Sequence, residues 1–157
     1  MQPSPSMTPE RLTALSAADR LRLVDVWEAA VRATHHFLGE EDIQFFKPRV
    51  REVYLDAVKL VCLRAADGQI LGFIGTAEGK IEMLFVDPAH HGQGIGRALL
   101  KHVLGEGGIT AVDVNEQNPG AVGFYQRMGF TVEGRSERDG QGKPFPLLHL
   151  RIANFSS

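Results

Sequence analysis

Hydrophobic residues recur at helical spacing in the first third of the chain. Val24, Trp27 and Val31 fall on one face of a helix, and this pattern predicts an amphipathic helix over residues 16–36. Ser16 has an acidic residue three positions after it, which is the spacing of a capping box. The helix should therefore bury this face against the rest of the domain.

Two further patterns flank this helix. Weak alternation over residues 11–15 predicts an edge strand before it. After Gly39, which we expect to end the helix, a second helical pattern covers about residues 41–56. Pro48 lies inside this pattern and should break or kink the helix, because proline has no backbone N–H to donate.

The rest of the chain has mainly the pattern of β-strands. The predicted strands cover residues 58–64, 70–77, 80–86, 110–114, 130–134 and 147–152. Asp67-Gly68 is typical of a hairpin turn, and Asn118-Pro119 is typical of a helix start. The predicted order β-α-α-β-β-β-α-β-α-β-β describes an α+β domain with a mixed sheet, and excludes a helix bundle or a regularly alternating parallel sheet.

Length and composition are those of one globular domain. The chain has 157 residues, of which 43% are hydrophobic and 23% charged, so it can bury a core. We expect a single domain over residues 10–157, preceded by a flexible arm over residues 1–9 that holds three prolines and two serines. A net charge of −2 provides no general basic surface for nucleic acid or an anionic membrane.

Cysteine usage and the N-terminal residues indicate a compartment. Cys62 is the single cysteine, which excludes an internal disulfide framework and a CxxC zinc site and fits a reducing environment. The first residues lack the basic and apolar regions of a signal peptide, and no apolar run approaches the roughly 18 residues of a membrane span. We therefore expect a soluble cytoplasmic protein with no metal, nucleic-acid or membrane partner.

The segment Met83–Leu100 places three glycines between a hydrophobic strand and a helix. Gly92, Gly94 and Gly96 allow consecutive backbone N–H groups to point into one concavity, and the helix adds its free amides, so the segment is suited to phosphate. A tight turn without a ligand is the alternative. The segment has neither the Gly-Lys-Ser/Thr ending of a nucleotide P-loop nor the GxGxxG spacing of a dinucleotide site.

Two blocks of sequence resemble the GNAT superfamily of acetyl-CoA-dependent N-acetyltransferases. His91-Gly-Gln-Gly94-Ile-Gly96 is similar to its Arg/Gln-x-x-Gly-x-Gly/Ala signature, except that His91 stands where Arg or Gln is usual. The second block is NEQNPGAVGFYQRMGF, from Asn115 to Phe130. The resemblance in strand and helix order covers about residues 10–153. Within the superfamily, the stretches RATHHFL and GRSERDGQGKPFPLLHL look like a YjaB-type bacterial branch.

The resemblance implies a fold and a way of binding the co-substrate. It implies a twisted, mostly antiparallel sheet of about seven strands, splayed between strands 4 and 5 and flanked by four helices, with acetyl-CoA entering the splay. The diphosphate would bind the amides of Gln93, Gly94, Gly96, Arg97 and Ala98, and the pantetheine arm would pair with the backbone of one strand. The residues expected to contact coenzyme A are Leu84, Phe85, Val86, His91, Gly92, Gln93, Gly94, Ile95, Gly96, Arg97, Ala98, Asn115, Asn118 and Tyr125.

The resemblance also implies three catalytic candidates. Tyr125 matches the tyrosine that protonates the departing thiolate, and a phenol with a pKa of about 10 can donate to a thiol of about 8.5. A buried aromatic residue on an amphipathic helix is the alternative for Tyr125. His35 is a candidate base or ligand on the acceptor side, with an ordinary core or rim histidine as the alternative. Glu82 is a candidate base or water-positioning residue.

We therefore expect an enzyme that moves the acetyl group of acetyl-CoA to an amine by direct attack in a ternary complex. The amine could belong to a small molecule or to a protein or peptide, and the polar loop over residues 136–143 could contact it. A non-catalytic acyl-CoA-binding or sensing module and a structural interaction domain are the alternatives. The chain would act as a monomer or a homodimer.

Overall fold

A seven-stranded sheet organises residues 8–153, the part of the chain that the computed structural model describes. Its strands are β1 (Glu10–Leu12), β2 (Lys59–Arg64), β3 (Ile70–Ala77), β4 (Lys80–Val86), β5 (Ala111–Asn115), β6 (Thr131–Ser136) and β7 (Leu147–Arg151). The α-helices are α1 (Ala17–Thr34), α2 (Glu40–Arg49), α3 (Ile95–Glu106) and α4 (Pro119–Arg127). The predicted arm over residues 1–9 falls outside the described residues except for its last two positions.

The strands lie in the order β1-β2-β3-β4-β5-β7-β6, and the sheet is mostly antiparallel. Only β4 and β5 run parallel, and their pairing among the described residues is limited to Lys80 with Ala111 and Ile81 with Val112. Beyond these pairs the two strands separate. The predicted splay between strands 4 and 5 is therefore confirmed, and we call the gap the split.

A β-bulge in β4 lies where the split begins. Met83 pairs with Gly75 of β3 and Ile81 pairs with Thr76, so Glu82 is an extra residue between two consecutive pairs. The bulge reverses the alternation of β4, because Ile81 packs in the core beneath α3 whereas Met83 packs in the core beneath α1. Bulges redirect side chains and bend strands away from a neighbour.

Each face of the sheet has its own hydrophobic core. The core beneath α3 and α4 includes Leu99, Leu100, Val112 and Phe130, all at most 3% exposed. The second core lies beneath α1 and α2 and includes Leu23, Trp27, Ile43, Phe73 and Met83. The split between β4 and β5 therefore lies between two packed layers of helices.

The predicted elements are present, with two differences. Pro48 does not end the second helix. Instead α2 continues into a π-helix at Val50–Tyr54 and a 3-10 turn at Leu55–Ala57, since loss of the proline N–H favours a changed hydrogen-bond spacing. Gly39 does not close α1 but precedes α2, where its N–H donates to the Asp42 carboxylate at 3.0 Å. No helix among residues 8–153 combines the length and apolar character needed to cross a membrane.

Candidate active site

The glycine-rich turn, residues 91–96, connects β4 to α3. Gly92 and Gly94 have φ angles of 82° and 77°, in the left-handed region that residues with a Cβ rarely adopt. The Gly94 carbonyl accepts the first hydrogen bond of α3, from the Ala98 N–H at 3.0 Å. The amides of residues 95–97 precede this bond and have no helical acceptor, so they are free to bind an anion at the positive end of the helix dipole.

One amide of the expected phosphate site also takes part in the helix. The Ala98 N–H donates to the Gly94 carbonyl, whereas the amides before it have no helical acceptor. The diphosphate contacts of the Gln93, Gly94, Gly96, Arg97 and Ala98 amides stay predictions. The side chain of His91 is exposed on the turn, as are those of Gln93 and Arg97.

An ion pair holds the turn against the rest of the domain. Asp87 lies between β4 and the turn, and one carboxylate oxygen accepts the Ala89 N–H at 3.0 Å. The other oxygen accepts a bond from the Arg22 guanidinium at 2.8 Å, and Arg22 also donates to the Ile70 carbonyl at 2.9 Å. Helix α1 therefore fixes the position at which the chain enters the glycine-rich turn.

The split contains a cavity of about 150 Å³, which we call the strand cavity. Its walls come from both strands and from α4: Ile81, Glu82, Met83, Leu84, Phe85, Val112, Asp113, Val114, Asn115, Asn118, Ala121 and Tyr125, together with His35. Residues 82–85 of β4 border this cavity, and among the described residues their backbone has no partner strand on the β5 side. An extended ligand can pair with such an edge as an added strand.

Tyr125 lines the strand cavity from α4. Its side chain is 6% exposed, and its ring packs edge-on against Phe124 and Phe130, with centroid distances of 5.2 and 5.5 Å. Burial raises the pKa of its phenol, so the hydroxyl keeps its proton at neutral pH. Tyr125 is therefore both a buried aromatic residue of α4 and a lining residue of the strand cavity, and its role as an acid stays a prediction.

Asn115 and Asn118 border the same cavity at the end of β5 and the start of α4. The Asn118 side-chain oxygen accepts the Ala121 N–H at 3.2 Å and caps α4. This bond leaves the amide group of the Asn118 side chain free to donate. Asn115 is the last residue of β5 and lies on the same face of the strand as Asp113.

A larger cavity of about 370 Å³, which we call the helix cavity, lies between the sheet and the first two helices. Its walls are mainly aromatic and aliphatic: Trp27, Val31, Phe37, Leu38, Phe46, Val50, Tyr54, Ile81, Met83, Phe85, Phe145 and Leu147. Its polar lining residues are His35, Lys80, Glu82, Asp113, Asn115 and Asp139. Trp27 and Phe46 therefore belong to the core and also face this cavity.

The polar loop between β6 and β7 closes one side of the helix cavity through Asp139 and Phe145. The loop is held to α2 and the turn after it, because Gln141 donates to the Tyr54 hydroxyl at 2.7 Å. Lys143 lies 3.7 Å from the Asp42 carboxylate. The loop and α2 thus form one wall together.

His35 lies at the end of α1, where the two cavities meet. The Thr34 hydroxyl donates to the Ala30 carbonyl at 2.8 Å, and it also lies 2.8 Å from His35 Nδ1. The Thr34 hydroxyl has one proton, and it donates this proton to the Ala30 carbonyl. The hydroxyl can therefore only accept a hydrogen bond from His35 Nδ1–H, which leaves the lone pair on Nε2 free. Burial, together with neighbouring His36, lowers the His35 pKa from 6.5 to about 4, so the ring is neutral at neutral pH.

Glu82 also lines both cavities and is the extra residue of the bulge. Its side chain is exposed, unlike that of Met83 beside it. The structure thus brings Glu82, His35 and Tyr125 to one connected space. No group of three or more His, Cys, Asp and Glu side chains within residues 8–153 is arranged to hold a metal ion.

Asp113 and Lys80, which line the helix cavity from β5 and β4, were not predicted as site residues. Asp113 stands between buried Val112 and Val114, so alternation alone turns its side chain to the opposite face of the strand. That signal was present in the sequence. What it did not reveal is which strand lies beside β5 and hence what Asp113 contacts.

The fold and this site define an acyl-CoA-dependent acyltransferase architecture, and comparison with known proteins agrees. Residues 34–146 match the family described as Acetyltransferase (GNAT) domain, and the chain belongs to this family. As a GNAT acetyltransferase it is an enzyme that uses acetyl-CoA to acetylate an amine, as the two sequence blocks predicted.

The chain is similar to individual bacterial members of the family. It is 42% identical over 128 residues to the peptidyl-lysine N-acetyltransferase YjaB of Escherichia coli K12, covering 82% of this chain and 86% of the relative. It is 30% identical over 111 residues to the peptidyl-lysine N-acetyltransferase YiaC of the same strain, covering 70% and 75%. The solution structure of apo YjaB from E. coli has a TM-score of 0.83 at 37% identity, covering 94% and 97% of the two chains. The predicted similarity to the YjaB-type branch is confirmed.

Proposed function

We propose that the protein transfers the acetyl group of acetyl-CoA to the ε-amine of a lysine side chain in a peptide or protein. The observation that carries this proposal is the shared wall of the two cavities. His35, Ile81, Glu82, Met83, Phe85, Asp113 and Asn115 line both of them. A donor in the split and an acceptor under the helices would therefore meet at one point, as direct transfer requires.

The acceptor side fits a lysine side chain. Aromatic rings such as those of Trp27 and Phe46 offer an apolar wall for a methylene chain, and the carboxylates of Glu82 and Asp113 offer a binding site for an ammonium group. The E. coli relatives that are named peptidyl-lysine N-acetyltransferases support the same acceptor class.

The donor side fits coenzyme A. The free amides of the glycine-rich turn and the start of α3 would bind the diphosphate, and the backbone of Leu84, Phe85 and Val86 would pair with the pantetheine arm. A free N–H of the same strand would stabilise the oxyanion that develops on the thioester carbonyl. Asn115 and Asn118 border this path on the α4 side.

Three side chains would carry the proton transfers. His35 Nε2 would take the amine proton as the C–N bond forms, with the Glu82 carboxylate close to the same space. The Tyr125 hydroxyl would protonate the departing thiolate. A covalent cysteine route is disfavoured, because Cys62 is fully buried and burial raises its pKa to about 11.

The proposal is tested with a peptide that contains one lysine and has a blocked N-terminus. Mass spectrometry and release of free thiol should both detect transfer of one acetyl group to this peptide. The matched control, in which arginine replaces the lysine, should remain unmodified. Transfer to a free N-terminus or to a small amine, with none to the lysine peptide, would contradict the acceptor class while leaving acetyl transfer itself intact.

His35 and Glu82 are separated by conservative variants. His35→Asn should reduce kcat on the lysine peptide by roughly 10²-fold, the usual effect of removing a positioned base, and Glu82→Gln should reduce it less. A larger effect of Glu82→Gln would assign the base to Glu82, and equal effects would contradict His35 as the sole base.

We further propose that the reaction takes place in the cytoplasm and that the enzyme acts as a monomer or homodimer. The single buried cysteine supports a reducing compartment. The net charge of −2 supports an acceptor other than nucleic acid.

A further inference from the structure

Four polar side chains from four neighbouring strands form one hydrogen-bonded row, and two of them, Lys80 and Asp113, line the helix cavity. Lys80 of β4 pairs with Asp113 Oδ2, and His149 Nδ1 of β7 lies 2.6 Å from Asp113 Oδ1. Ser136 Oγ of β6 lies 2.6 Å from His149 Nε2. None of the three catalytic candidates, Tyr125, Glu82 and His35, is hydrogen-bonded to this row, so its role is separate from theirs.

Strand register brings the row together. Asp113 and His149 are directly paired residues of β5 and β7, and both lie on the face opposite the buried valines of β5. On β6, Gly134 pairs with His149, and a Cβ at this position would lie 3.5 Å from the imidazole ring. A Cβ at Gly134 would thus make an ordinary van der Waals contact with the His149 ring, which lies between its two hydrogen-bond partners.

We propose that Asp113 binds the cationic amine of the acceptor and that His149 is the positioning residue that holds the Asp113 carboxylate. The proposal rests on lysine acetylation as the proposed function and names the group that recognises the lysine. Each carboxylate oxygen of Asp113 has one partner in the row, which leaves lone pairs for a further donor.

The charges around the helix cavity favour a cation. Its lining residues include three carboxylates, Glu82, Asp113 and Asp139, and one ammonium group, Lys80. Burial alone would raise the Asp113 pKa, but the hydrogen bonds from Lys80 and His149 outweigh it and lower the pKa, so Asp113 stays ionised. The site therefore keeps an excess of negative charge for an ammonium group to neutralise.

Asp113 is better placed than the other two carboxylates. Its side chain is 24% exposed, whereas Glu82 is largely exposed, and interactions with charges are stronger where water is less accessible. Asp113 lines both cavities, whereas Asp139 lines only the helix cavity. An ammonium group bound to Asp113 would therefore lie next to the split.

The test uses two peptides that differ only in the acceptor side chain. One carries lysine, which is charged at neutral pH, and the other carries an aminooxy side chain of similar length, which is neutral. Asp113→Asn should raise KM for the lysine peptide roughly 10-fold or more, the loss expected for a hydrogen bond to a charged group, with a smaller change in kcat. For the aminooxy peptide the KM should change less than twofold.

Substitutions of His149 and Lys80, the two residues bonded to Asp113, distinguish a positioning role of His149 from a purely structural one. His149→Asn keeps a donor towards Asp113 and should retain most of the lysine affinity, whereas His149→Phe keeps the ring but should raise KM for lysine several-fold. Lys80→Met removes the competing ammonium and should lower that KM. Asp25→Asn, an exposed carboxylate on α1, is the matched control and should change nothing. Melting temperatures of all variants report any loss of folding.

Equilibrium binding of the lysine peptide to the enzyme with coenzyme A tests the same contact without turnover. Asp113→Asn should weaken this binding by the same factor. If the wild type acetylates lysine and the KM of Asp113→Asn is unchanged, the role of Asp113 is overturned while the proposed function stands. An equal rise of KM for both peptides would have the same consequence. Absence of both transfer and binding in the wild type would overturn the proposed function as well.

Discussion

The burial of His35 predicts that acid destabilises this protein in a defined range. The folded-state pKa is about 4, whereas the ordinary value is 6.5, so between these values the unfolded chain binds a proton that the folded protein does not. The stability contributed by neutral His35 is therefore fully present above pH 6.5 and is lost as the pH falls through about 4.

The size of the effect follows from the shift and from the exposure of the ring. A lowering from 6.5 to about 4 corresponds to at most about 3 kcal/mol. The ring is half-buried and lines two cavities that admit water, so we expect about 2 kcal/mol. Carboxylates such as Glu40, whose pKa is held at about 2 by Arg32, change stability only at lower pH.

Urea unfolding measured at pH 7 and pH 4.5 provides the assay. His35→Asn keeps a donor towards Thr34 but cannot titrate, so it should lose less stability than the wild type on going to pH 4.5. His102→Asn, a partly exposed histidine on α3, is the matched control and should behave as the wild type. An equal loss in the wild type and in His35→Asn would refute the reasoning and would show that the ring is charged without penalty.

Three further predictions concern the donor side. Gly94→Val places a β-branched residue at a φ of 77°, so it should abolish coenzyme A binding in calorimetry while circular dichroism shows a retained fold. Unchanged affinity would exclude the turn as the phosphate site. Tyr125→Phe keeps the packing of the ring and removes the acid, so single-turnover transfer should slow by roughly 10²-fold with coenzyme A affinity nearly unchanged. A wild-type rate would show that Tyr125 is a core residue only. His91→Arg places a permanent charge on the exposed turn and should tighten coenzyme A binding about two- to fivefold, with a smaller gain at high salt. Unchanged affinity would show that the side chain at position 91 lies away from the diphosphate.

The strands and the glycine-rich turn were accessible from sequence because they depend on local pattern. The β-type runs over residues 70–77 and 80–86 predict β3 and β4 with their observed bounds. The glycines at 92, 94 and 96 predict a tight turn between a strand and a helix, and Gly92 and Gly94 have positive φ angles there. These features depend on residues that are close together in the chain.

Features that depend on contacts between distant segments were not accessible. The bulge at Glu82 follows from the register of β3 against β4, and nothing in the residues of β4 alone marks it. The contact of Asp113 with His149 joins positions on β5 and β7 that become neighbours only in the folded sheet. Pro48 was expected to break or kink the second helix, but the kind of change was not accessible: α2 ends at Arg49, and a π-helix continues the chain into the core at Val50.

The central claim is that a lysine amine receives the acetyl group at the meeting point of the two cavities. The most direct measurement is mass spectrometry of the single-lysine peptide with a blocked N-terminus, after incubation with acetyl-CoA and either the wild type or Gly94→Val. We predict one acetyl group on the lysine with the wild type, an equal amount of released thiol, and neither product with Gly94→Val. Thiol release without peptide acetylation, or equal acetylation by both proteins, would contradict the account.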